Sequence, residues 1–261
     1  LRESFWAGLS AWARQQGVVT QFIRFDPNLR NHEGWPTDSP SPGEGSRLLE
    51  KNRETVWVDV TGSDEDLGRG MTENHRRCWR KSLERGWAVT WRTDPEAAGL
   101  FSGVYDRSMA RLQAGMRLRF TREFLSGLLS GRAGPWFELG LLAQGGEVKG
   151  GFVLARGPHW AHHYLSATDE AGWPDHANHF LFFSALVRAR ELGHRALDFQ
   201  GGPPGVFRFK SGFGPGRSDF YVLKVVHDPA RYGRRSEHFC GRRVEAPGPG
   251  HFPAYAVPTA T

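Results

Sequence analysis

The sequence predicts an α/β protein, with an open mixed sheet and helices on its faces. Three observations carry this reading. Short apolar runs of strand type recur along the chain at 55–60, 87–92, 147–156 and 195–200. Between them lie longer stretches whose apolar residues fall three and four apart, as at 97–112 and 177–192. Glycine or Gly-Pro pairs punctuate the joins, notably Gly145-Gly146, Gly157-Pro158 and Gly193. A chain of 261 residues can bury a large core and suits one large or two small domains.

In chain order, Phe5, Leu9, Trp12 and Ala13 mark a first helix that Gly17 closes, and 18–25 reads as a strand. Residues 26–54 are rich in Pro, Gly, Ser, Asn and charge without periodicity, and read as one long loop. A strand resumes at 55–60, and Thr61 to Asp66 offer capping side chains to a helix. The segment 74–85, NHRRCWRKSLER, sets Arg77, Lys81 and Arg85 four residues apart on one helical face, with Trp79 and Leu83 on a neighbouring apolar face. Such a basic stripe serves either a phosphate backbone or a solvated helix face. A strand at 87–92 follows. Ala97, Phe101, Val104, Tyr105 and Leu112 mark one helix, and Phe124, Leu125, Leu128 and Leu129 another. Three strands at 136–144, 147–156 and 159–168 are joined by the tight glycine turns. A helix at 177–192, a strand at 195–200, a further basic-aromatic segment and a strand at 218–226 complete the pattern. A short helix near 228–239 leads to a Pro- and Gly-rich tail expected to lie over the surface or fray.

Composition excludes several classes. Lys and Arg total 34 against 28 Asp and Glu, an excess that suits an anionic partner such as RNA, a nucleotide or a phosphate-bearing substrate, or simply a basic surface. Cys78 and Cys240 lie far apart without a CxxC spacing, so no disulfide framework or zinc motif follows and a reducing, cytoplasmic setting is expected. No apolar run reaches the length of a membrane helix. The chain opens at Leu1 already inside a helical pattern, which suggests sequence upstream. His32-Glu33 has no second histidine four residues on. His159, His162, His163, His176 and His179 have no acidic or thiol partner at ligand spacing, so no metal site is expected. No Ser-His-Asp arrangement is legible, and a covalent acyl-enzyme is not suggested.

The stretch 197–214, LDFQGGPPGVFRFKSGFG, stands apart. Gly201-Gly202-Pro203-Pro204 ends a strand where backbone N–H groups and a short helix can approach a ligand closely. Arg208, Phe209 and Lys210 follow, and a lysine between aromatics and glycines at a strand end is arranged like a site.

The run NHRRCWRKSLERGWAV, the segment HHYLSATDEAGWPDHANHFLFFSALVRARELG and the pairing of LDFQGG with FRFKSGFG together resemble the FemAB/FemX family. Those are aminoacyl-tRNA-dependent transferases of the N-acyltransferase (GNAT) fold. The resemblance covers roughly residues 1–226 and implies a GNAT-like mixed sheet, with residues 87–226 as one complete catalytic lobe, 1–86 as part of a second and 227–261 as a helix and irregular tail. It implies transfer of an aminoacyl group from aminoacyl-tRNA to an amine of a peptide, peptidoglycan precursor or natural-product scaffold, with no cofactor beyond that donor. The long helical-hairpin arm of many cell-wall members is not legible here, which puts the family's usual grip on tRNA in doubt.

By the same resemblance Lys210 is the catalytic cation that meets the developing oxyanion. Phe209 is either a stacking platform for the terminal adenosine or part of the core. Arg208, Asn178, Gly201 and Gly202 join it in binding substrate, with Arg77, Lys81 and Arg85 on the tRNA. Tyr164 and Ser166 alternate onto one face of their strand, opposite His163, where they either contact substrate or serve as satisfied polar groups of the core. Asp198 is a weaker candidate for a general base. The alternative function is acyl-CoA-dependent N-acyl transfer, against which GWPDHANH lacks the glycines that wrap a pyrophosphate. A non-catalytic RNA- or nucleotide-binding relative is the third reading.

Overall fold

The computed structural model describes residues 2–35, 45–115, 118–132 and 134–256. The chain forms two compact units, one of residues 1–54 with 218–260 and one of residues 55–217. These limits fall elsewhere than the lobe boundaries at 86 and 226 that the family resemblance implies.

The unit 55–217 holds the features of interest. It begins with the second half of β2 (Ser46–Asp59), then α2 (Asp64–Gly70), α3 (Glu73–Leu83), β3 (Trp87–Arg92), α4 (Ala97–Arg111) and α5 (Arg122–Leu129). The strands β4 (Phe137–Gln144), β5 (Glu147–Arg156) and β6 (Trp160–Thr168) follow, then α6 (Ala177–Glu191), β7 (Ala196–Gln200) and α7 (Pro204–Ser211). Its strands run in the order β2-β7-β6-β5-β4-β3, antiparallel except for the β6/β7 pair. A parallel neighbour needs a crossover, and α6 supplies it.

Ser63 caps α2 in a reciprocal box with Asp66. This box holds the Asp66 carboxyl down at about 2, first through the Ser63 hydroxyl. Alternation along β5 divides the core. Phe152 and Leu154 pack with Leu181, Phe182 and Leu186 of α6, while Val153 faces Phe101, Tyr105 and Leu125 of α4 and α5. Glu138 is 1% exposed on β4, where it pairs with Arg156 and accepts from Arg188 Nε at 2.8 Å. Two guanidiniums offset the desolvation of that one carboxylate.

The other unit comprises α1 (Arg2–Gln15), β1 (Thr20–Arg24), the first half of β2, β8 (Gly216–Val226, in this unit from Ser218) and α8 (Pro229–Cys240). β1 runs antiparallel to β8 from Thr20↔Val226 to Arg24↔Val222. Trp6, Phe25, Leu223 and Val225 form one cluster, and Val19, Val226 and Tyr232 another. Lys224 is buried, with Nζ 2.5 Å from Glu50 and donating to the Gly248 and Gly250 carbonyls.

The loop expected over 26–54 ends early, because β2 starts at Ser46. Residues 46–54, SRLLEKNRE, are half-buried or exposed, so the strand carries charge in place of clean apolar alternation. Residues 36–44 of that loop and 257–261 of the tail lie outside the described residues. Among the described residues no helix is long and apolar enough to cross a membrane.

Candidate functional site

The site is built where β6 and β7 part. Their registered pairs are Trp160↔Ala196, Ala161↔Leu197 and His162↔Asp198, although β6 continues to Thr168 and β7 to Gln200. Asp198 ends the paired stretch, buried to 2% exposure. Its carboxylate accepts from the Gln200 amide at 2.7 Å and lies 3.5 Å from His162 Nδ1. Gln200 then takes a left-handed φ of 61°, uncommon outside glycine, and turns the chain off the sheet. Asp198 thus holds a turn, as strand carboxylates commonly do.

Beyond the last pair, the strand β6 carries a bulge. Val153 faces Leu165 while Leu154 faces His163, which leaves Tyr164 as an extra residue. The extra residue overturns the expected alternation. Tyr164 falls against Phe137 and Phe120 on the side of α4 and α5, whereas Ser166 and His163 share the α6 side, with Ser166 Oγ 3.0 Å from His163 Nε2. Tyr164 and Ser166 are therefore on opposite faces. His163 packs against Phe152 and Phe182. Burial first, and then the Lys210 ammonium, hold its pKa well below the ordinary histidine value. The imidazole is thus neutral at neutral pH.

Lys210 comes from α7. It is 4% exposed, and its Nζ donates to the Gly201 carbonyl at 2.8 Å. Gly202 permits the tight entry to α7, since a Cβ there would lie 2.9 Å from Val206 Cγ1. Phe209 is half-buried among Phe182, Phe213, His75 and His179, so its ring belongs largely to the core. Arg208 is exposed on the same helix.

At the start of α6, His176 is the residue before the helix, with φ 59° and no side-chain cap. The turn leading to it is pinned by Trp87 Nε1 donating to the Asp175 carbonyl, and by Trp173 Nε1 donating to Thr168 Oγ1, which donates on to Asn178 Oδ1 at 2.9 Å. Asn178 therefore positions the turn with its carbonyl oxygen. The basic stripe of α3 arrives at the same place. Arg77, Lys81 and Arg85 are all exposed, and Arg85 lies just past the end of α3, 3.3 Å from Asp175. Burial and the charges of Lys81, Arg85 and Arg77 lower the His176 pKa, against the opposing pull of Asp175. Trp79 of α3 stacks on Phe183 of α6 at 4.0 Å; Leu83 is exposed rather than apolar-packed.

Two groupings of residues here escaped the sequence reading. His163 was expected across the strand from Ser166, and the bulge brings them together. His75 and Cys78 of α3 come up against His176 and His179, so the thiol missing at local ligand spacing arrives from another helix. Burial first, and then His75 and His176, push the His179 pKa down to about 4. No pattern in the linear sequence joins α3 to the start of α6.

Residues 69–211 match the family model described as "Acetyltransferase (GNAT) domain". The chain belongs to that GNAT family. Among solved structures this GNAT chain is similar to FemX, at 14% identity over 85% of this chain and 75% of that one, with a TM-score of 0.65. It is similar to a conserved protein of unknown function from Bacteroides thetaiotaomicron, at 11% identity over 85% and 75% with a TM-score of 0.62. L-PGS from Bacillus licheniformis shares 14% identity over 68% of this chain and 62% of that one, with a TM-score of 0.50. At these identities the likeness is one of fold. No curated protein matches the sequence.

Proposed function

We propose that this GNAT protein transfers an aminoacyl group from aminoacyl-tRNA to an amine of a peptide, peptidoglycan precursor or natural-product acceptor. The observation that carries the reading is the convergence of Arg77, Lys81 and Arg85 on the N-terminal end of α6, beside the gap between β6 and β7. A helix N-terminus with three added cations attracts phosphate, and the gap beside it has a buried ammonium and a neutral imidazole for the chemistry.

In this reading the neutral acceptor amine attacks the ester carbonyl of the donor. The N–C bond forms, negative charge collects on the carbonyl oxygen, and Lys210 stabilises it with a fixed charge. The proton lost by the attacking nitrogen passes by way of the Ser166 hydroxyl and His163 to the departing ribose oxygen as the C–O ester bond breaks. Lys210 Nζ donates to the Gly201 carbonyl, which holds the ammonium in place. Phe209 shapes the wall of the site from the core, and Arg208 faces solvent, where it can meet the donor's phosphates.

The acyl-CoA alternative draws support from the family description and from the same helix N-terminus, where a pyrophosphate would also sit. Against it stand His176 and the sequence GWPDHANH at the turn that would wrap that pyrophosphate. The test supplies the protein with charged total tRNA or with acetyl-CoA, together with a panel of amines. Loss of the aminoacyl ester with amide formation is the expected result. Consumption of acetyl-CoA alone would replace the proposal with the alternative.

A further inference from the structure

Cys78 on α3 and His176 and His179 at the start of α6 each offer one ligand atom, and these atoms all lie within 4.8 Å of one another. We propose that the three side chains bind a zinc ion. In a tetrahedral site with Zn–S of about 2.3 Å and Zn–N of about 2.0–2.1 Å, ligand atoms stand roughly 3.5 Å apart. Small rotations of three side chains close that difference.

Three further observations favour a metal. Cys78 is buried and the two histidines are half-buried, so the three side chains are already drawn partly out of water where an ion would sit. His75 adds a third imidazole, its ring 4.8 Å from that of His179. It is placed to complete the site or to support it, while a three-ligand site keeps a position for water. Gly212 makes room for His75, since a Cβ there would lie 2.2 Å from the ring. Last, His176 adopts the left-handed conformation although it is not glycine. Strain of that kind persists where the surroundings impose it, and it gathers at functional sites.

The donor set selects the metal. One thiolate and two or three imidazoles suit zinc, and also cobalt as a probe, while disfavouring magnesium and calcium. Arg77, Lys81 and Arg85 oppose a dication nearby. Loss of the Cys78 thiol proton on binding reduces the net charge of the ion and its ligands to a single positive unit. The ion would tie α3, which carries the basic stripe, to the end of α6 that the stripe faces.

The full chain, purified without a polyhistidine tag and stripped with chelator, is titrated with Co²⁺. The expected result is one equivalent bound, with the intense visible absorption of a tetrahedral ion, a thiolate-to-cobalt charge-transfer band and displacement of both by Zn²⁺. Cys78→Ser should abolish the charge-transfer band, whereas Cys240→Ser should leave it unchanged. His75→Gln should weaken zinc binding by about 10–100-fold if His75 supports the site from outside. Should Cys78→Ser fail to fold, His176→Gln at the half-exposed turn should lower zinc affinity more than about tenfold while the thiolate band persists. A weak octahedral spectrum, or a charge-transfer band that survives Cys78→Ser and vanishes with Cys240→Ser, overturns the site.

Discussion

The two faces of the sheet in the unit 55–217 are packed on different terms. Under α4 and α5 the packing residues are Phe101, Tyr105, Leu125, Leu139 and Val153, and the Tyr105 hydroxyl is disposed of locally by donating to the Leu118 carbonyl at 2.6 Å. Under α6 and α7 an apolar cluster is threaded with groups that titrate or carry charge, among them His163, Lys210 and Glu138. Burying such groups costs free energy that an apolar face does not incur. One face defines the fold, and the other combines folding with placing a buried ammonium beside a neutral imidazole. Substitutions should separate the two.

The largest effect belongs to the apolar face. Phe101 is fully buried against the sheet, and Phe101→Ala should cost about 3–5 kcal/mol of stability through lost transfer energy and the cavity left behind. Chemical denaturation reads that loss. At temperatures where the variant is folded, its turnover should match the parent; a large fall in turnover would erase the distinction between the faces.

Lys210→Met comes next and should show the reverse pattern. On the proposed role of Lys210, removing its charge should lower turnover on the order of a hundredfold, equivalent to about 3 kcal/mol. Stability should fall by less, because Met keeps the packing of the stem and removes a charge that is costly to bury. Equal losses of stability and activity would reduce Lys210 to a structural group.

The apolar face was the more legible of the two in the sequence. Phe101, Val104 and Tyr105 stand at helical spacing, and β3 and β5 occupy the residues that alternation and glycine turns assign to them. The strand β2 was half missed, because Ser46 to Glu54 is a partly exposed stretch whose charges carry no period. The placement of Lys210 after a Gly-Gly-Pro-Pro break was readable, since Gly and Pro act locally on the backbone. The pairing of His163 with Ser166 was not, because a bulge inserts one residue without leaving a mark in composition. Cys78 and the histidines meet through tertiary packing of α3 on α6, which a linear pattern does not encode.

The basic stripe gives a smaller effect that depends on salt. Changing Arg77, Lys81 and Arg85 together to Ala should leave stability nearly unchanged, since exposed charges contribute little to folding. Binding of tRNA should weaken, and the slope of log affinity against log salt should become shallower by about 0.7–0.9 for each phosphate that the protein no longer neutralises. An unaltered slope would leave these residues as a solvated helix surface.

The smallest effect is the pH response of His163, and its sign follows from where the proton binds. Burial and the Lys210 ammonium lower the folded-state pKa well below the ordinary value of 6.5. As pH falls through that value the unfolded chain takes up a proton that the folded chain refuses, so the unfolded state holds more protons and stability declines with acidification. The contribution is fully present above the unfolded pKa and is lost progressively as pH drops toward the folded one. His75, His176, His179, His194 and His227 are lowered in the same direction by burial, so the protein as a whole should weaken in this window and His163 must be read by difference. His163→Gln keeps a polar partner for Ser166 but does not titrate. Denaturant midpoints at about pH 7.5 and about pH 5.5 should show the variant losing less stability than the parent between the two. Parallel losses would mean that His163 takes up its proton in the folded protein as readily as in the unfolded chain. In that case the α6 face would not be holding a neutral imidazole beside Lys210.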